Sequence, residues 1–101
     1  MSRQRLPNRR DALSTTIELP GWPPLTATVG TDATGRVAEV FLRAAPDTDL
    51  DRLLDDAAVL ASFALQNGAS ADQLAVAIAR HDGRLSTSIG AALAFAAEID
   101  R

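Results

Sequence analysis

Cysteine and lysine are both absent from this chain of 101 residues, tyrosine is absent too, and histidine and tryptophan occur once each. Without cysteine there are no disulfides and no thiolate metal ligands. The single histidine, His81, stands between Arg80 and Asp82. Adjacent helical residues point apart, so His81 and Asp82 make no acid–base dyad by proximity, and a structural or solvated role is expected. Long apolar runs are also missing. No segment approaches the roughly 20 residues of a membrane span. The opening Met-Ser-Arg-Gln-Arg-Leu-Pro-Asn-Arg-Arg carries positive charge with no apolar stretch behind it. Neither a signal peptide nor a membrane contact is predicted, and the cytoplasm is the expected compartment.

What is present suits one folded unit. Hydrophobic residues make up 47% and charged residues 23%, an ordinary balance for a globular domain and too apolar for a disordered chain. All ten basic residues are arginine. Arg3, Arg5, Arg9 and Arg10 give the first ten residues +4 and leave −7 on the rest. Residues 1–11, interrupted by Pro7, therefore read as a basic arm, and residues 12–101 as a single domain. The all-arginine usage suits planar recognition of carboxylate or phosphate, but with the abundant alanine the favoured reading is a codon bias.

Hydrophobic periodicity changes halfway along the chain. Leu13, Thr15, Ile17 and Leu19 alternate with polar residues, as do Leu25, Ala27 and Val29, and Arg36 to Arg43 forms a third candidate strand. Pro20-Gly21-Trp22-Pro23-Pro24 must be a loop, because proline lacks the ladder donor. Gly30 to Gly35 is turn chemistry without the lysine of a phosphate loop. Leu50, Leu53, Leu54, Ala57, Ala58, Ala61 and Ala64 or Leu65 then follow helical spacing. Asp47 or Thr48 is the expected cap, and Asn67-Gly68 the stop. Ser70 and Gln73 form a capping-box pattern for a helix over about 71–81, and a last helix is predicted from near Ser86 or Ser88, with Ile89, Ala92, Leu93, Ala96 and Ile99 on one stripe. The order predicts an α+β fold: a three-stranded antiparallel sheet followed by three helices packed on one face. Neither sheet edge carries an evident guard such as lysine. Pairing across an edge or through the alanine-rich helices predicts a homodimer.

Candidate site residues each have a plain reading beside the functional one. The arginines Arg3, Arg5, Arg9 and Arg10 would attract phosphate or an acidic protein surface, the former with strong salt dependence. Trp22 either stacks on a partner or covers one end of the sheet. Ser70 and Ser88 at helix starts, with Arg80 and Arg84, would suit an anion, although capping is the usual role of such hydroxyls. Asp47, Asp49, Asp51, Asp55 and Asp56 lack the spacing of a calcium loop and fit dipole stabilisation. No catalytic residue, metal site or cofactor is predicted.

Several stretches, in order, carry a family likeness. Arg5-Leu6-Pro7-Asn8-Arg9-Arg10, Thr26-Ala27-Thr28-Val29-Gly30 and Gly35-Arg36-Val37-Ala38-Glu39-Val40-Phe41-Leu42 are followed by Asp56-Ala57-Ala58, Ser62-Phe63-Ala64-Leu65-Gln66-Asn67-Gly68, Asp82-Gly83 and Ser88-Ile89-Gly90-Ala91-Ala92-Leu93. Together they resemble the TSCPD domain over roughly residues 5–95. Such domains occur near the C-terminus of some ribonucleotide reductases, notably cobalamin-dependent ones, and as small free-standing proteins. The resemblance implies a bacterial or phage protein connected with deoxynucleotide supply. It does not imply reductase activity, which needs redox-active cysteines, and the Thr-Ser-Cys-Pro-Asp string itself is missing here. The expectation is a non-catalytic accessory or interaction domain whose partner is a reductase or nucleic acid. The alternative is a small dimeric sensor of a nucleotide or anion.

Overall fold

Three strands precede three helices in the computed structural model, which describes residues 12–79 and 87–100. They are β1 (Ala12–Ile17), β2 (Leu25–Thr31), β3 (Val37–Arg43), α1 (Asp49–Gln66), α2 (Ala71–Ile78) and α3 (Ser88–Ile99). The expected α+β architecture is present. The basic arm, Arg80, His81 and Arg84 lie outside the described residues.

The strands pair in chain order as an antiparallel meander. Pro20 and Gly21 turn the chain between β1 and β2: the Trp22 N–H donates to the Leu19 carbonyl at 3.0 Å and Gly21 has φ +81°. Proline followed by a residue of positive φ is the chemistry of a type II turn. The β2–β3 hairpin is held by Asp32, whose Oδ1 accepts from the Thr34 N–H and hydroxyl and from the Arg36 N–H. Gly35, at φ +85°, supplies the left-handed residue that closes the loop.

The register sets Leu13, Thr15 and Ile17 opposite Val29, Ala27 and Leu25, and Val29 and Ala27 opposite Val40 and Leu42. Residues opposite one another share a face, so one side of the sheet is aliphatic and packs under the helices. Leu25, Ala27, Val29, Val40 and Leu42 are buried there with Leu54, Ala58, Leu65, Ala92, Leu93 and Ala96. Burying each of the larger side chains contributes roughly 1.5–3 kcal/mol. The other side of the sheet carries Ser14, Thr16, Thr26, Thr28, Phe41 and Arg43, and no described helix packs on it; Ser14 and Thr28 share a hydroxyl hydrogen bond of 2.8 Å across it.

Helix α1 runs along β3, and its inward face differs from the expected one. Asp51, Leu54, Ala58, Ser62 and Leu65 are buried, whereas Leu53, placed on the core face by periodicity, is 67% exposed. Hydrogen bonding explains the rotation. An edge strand presents unpaired backbone groups, and α1 reaches them with polar side chains. Ser62 Oγ accepts from the Val40 N–H and donates to the Val40 carbonyl, at 3.0 and 3.1 Å. Gln66 donates to the Ala38 carbonyl at 3.0 Å, and Asp51 Oδ1 accepts from the Ala44 N–H at 2.8 Å. The β3 edge, unguarded by composition, is sealed by its neighbouring helix.

The helix ends follow their local chemistry. Thr48 caps α1 by accepting from the Asp51 N–H. At the other end Gly68 has φ +110°, and the Gly68 and Ala69 N–H groups return to the Leu65 and Ala64 carbonyls, a Schellman closure. The Ser70–Gln73 capping box forms as predicted, but α2 ends at Ile78, short of residue 81. Thr87 caps α3, which lies across all three strands with small residues, mainly alanine, against the sheet.

Candidate interaction surface

The packing scheme leaves a groove between α1 on one side and α2 with α3 on the other. It consists of two adjoining voids that share Ile89. The first, about 200 Å³, is lined by Trp22, Leu25, Leu50, Leu53, Leu54, Thr87 and Ile89. The second, about 320 Å³, lies between Ala57, Leu60 and Ala61 of α1 and Leu74, Ala77, Ile78 and Leu93 of α2 and α3. Among the described residues no lining side chain is charged, and Thr87 is the only polar one.

The α1 wall has a definite origin. Because Asp51, Ser62 and Gln66 are committed to the β3 edge, the aliphatic residues between them are turned aside. Leu50, Leu53, Ala57, Leu60 and Ala61 recur at three- and four-residue spacing and so share one flank. Leu53 and Leu60, two turns apart, form the rim, 67% and 72% exposed. Asp49 and Asp56 flank them along the same exposed line of the helix. The opposite flank of α1, from which Gln66 reaches Ala38, exposes Val59 and Phe63, each about half-open; Phe41 is similarly exposed on the outer sheet face.

The sequence-predicted residues are scattered relative to this surface. Trp22 is brought to one mouth of the groove, 42% exposed, so it borders the sheet end and the open void together. Ser70 is occupied by capping: its hydroxyl accepts from the Gln73 N–H at 3.1 Å while Gln73 Oε1 accepts from the Ser70 N–H at 2.9 Å. Ser88 is the first residue of α3, and the capping hydroxyl there is that of Thr87, which accepts from the Gly90 N–H. Arg3, Arg5, Arg9, Arg10, Arg80 and Arg84 lie outside the described residues. The aspartates do not converge. Asp51 is buried against the Ala44 N–H and Arg43, Asp49 pairs with Arg52 in solvent, and among the described residues no three potential metal ligands come together. No described helix is long and apolar enough to cross a membrane.

Leu53, Leu60, Leu74 and Ile78 were not singled out as site residues by sequence reasoning. A signal was available: α1 has more aliphatic positions than one core-facing stripe can hold, and the surplus must face something else. Charge divides along similar lines. The described residues contain three arginines against eleven acids, while four arginines precede them in the arm. No protein-family model, curated protein or solved structure matches the chain.

Proposed function

We propose that this chain is a non-catalytic accessory domain that works by surface contact, in the deoxynucleotide-supply setting that its TSCPD-like residues imply. The observation that carries the reading is the apolar excess of α1. The helix needs one inward stripe to hold the sheet, yet it also shows Leu53 and Leu60 on one flank and Val59 and Phe63 on the other. Exposed apolar groups in contiguous patches mark association surfaces. The cysteine-free composition supports a role outside the reductase radical chemistry itself.

The arm supplies the second element of the proposal. Four arginines ahead of an acidic body favour an anionic surface on the partner, and screening weakens such attraction. A reductase catalytic subunit is the partner proposed. The test is calorimetric titration of a purified cobalamin-dependent reductase subunit with this chain at low and high salt. The expected result is saturable binding that weakens at least tenfold at high salt and on removal of residues 1–11. Absence of binding at low salt would refute the proposal.

A further inference from the structure

The groove beside α1 has the features of a self-complementary contact, and we infer that its occupant is the same flank of a second copy of this chain. The inference rests on reading the chain as an interaction domain and names one of its surfaces. A twofold contact presents one patch to itself, so the patch must hold both what projects and what receives. Here the two lie side by side. Leu53 and Leu60 project from α1, Leu53 beside the first void and Leu60 beside the second, which Ala57, Ala61, Leu74, Ala77 and Ile78 also line. The alanines keep that wall low, so that a leucine ridge seven residues long can enter from a facing helix.

Area favours a macromolecule over a small ligand. Leu53, Leu60, Trp22 and Ile78 are 67%, 72%, 42% and 41% exposed. These four offer roughly 400 Å² of apolar surface, which matches the largest patch of an ordinary monomer and half of what each partner buries in a standard interface. The walls at Ala57, Ala61 and Ala77 add to this surface. A small ligand would leave the two leucines in water, whereas a second ridge covers them. Charge gives the contact a signature. Asp49 and Asp56 border the ridge and the described body is acidic, so two copies repel and added salt tightens their union. This is opposite to the salt effect expected for the arginine arm.

Sedimentation of the full chain at about 50 μM, where a micromolar pair is mostly associated, tests the inference. The expected mass is twice the 10.6 kDa of one chain, with tighter association at higher salt. Leu60→Asp and Leu53→Asp should each return the folded monomer, while Val59→Asp, an exposed change on the opposite flank, should leave the dimer intact. A wild-type monomer at every salt concentration overturns the inference. So does a dimer that survives both leucine changes. Reductase titration separates the two readings: a Leu60→Asp monomer that still binds retains the accessory role, and a wild-type dimer without reductase affinity retains the self-contact.

Discussion

Arg36 sits in the β2–β3 hairpin but acts at the far end of α1. Its guanidinium donates to the Leu65 carbonyl at 3.1 Å and to the Ala69 carbonyl at 2.6 Å, where a helix terminus has spare acceptors and partial negative charge. One planar fork thus ties hairpin to helix. Arg36→Ala should cost about 1.5–3 kcal/mol, read as a lower urea midpoint, and Arg36→Lys should recover little because a single ammonium cannot reproduce the fork. Asp32, in the same hairpin, gives a pH dependence. The Thr34 hydroxyl above all, then the Thr34 and Arg36 N–H groups, hold its carboxyl below the usual range. A carboxyl depressed in the folded state stabilises the fold above its unfolded pKa and loses that contribution as pH falls through the folded value. The wild-type advantage over Asp32→Asn should therefore be full at neutral pH and shrink as the medium is acidified below the usual carboxylate range. A stability difference flat across that range would contradict it.

Elements were legible wherever the controlling interaction is local. Alternation placed the first two strands and Val and Phe content the third, Pro20 to Pro24 placed a loop, Gly68 ended α1, and Ser70 with Gln73 began α2. The orientation of α1 was not legible. Periodicity counts apolar side chains, but the inward face was settled by unpaired backbone on β3, a partner 22 residues away in the case of Val40 and Ser62. The groove depends on the spacing of three helices and has no linear signature. Leu53 and Leu54 make the distinction measurable. Leu54 is 3% exposed and Leu53 67%. Leu54→Ala should cost about 2–4 kcal/mol through lost burial and a residual cavity, whereas Leu53→Ala should stay within about 0.5 kcal/mol in the dilute monomer. Thermal melts of the two variants at low concentration decide whether α1 is oriented as described.

At the scale of the whole molecule, charge and apolarity are placed apart. Acids border α1, aliphatics line the groove and four arginines occupy the leading segment. Two kinds of association with opposite responses to salt can therefore coexist on one small chain. A chain lacking residues 1–11 should melt within a few degrees of the full chain and should lose salt-sensitive affinity for polyanions. A large drop in melting temperature would instead assign the arm to the fold.

The sealing of β3 by Ser62, Gln66 and Asp51 also governs what this protein can polymerise into. A growing fibril of sheets must accept a new strand at one margin while offering another at the opposite margin. Among the described strands β1 is the other margin, so strand exchange there joins two molecules and then meets the covered side of β3. Substituting Ser62 frees the Val40 N–H and carbonyl on that margin, so the change that loosens a hydrogen bond also takes a step from a terminating unit toward a chain-extending one.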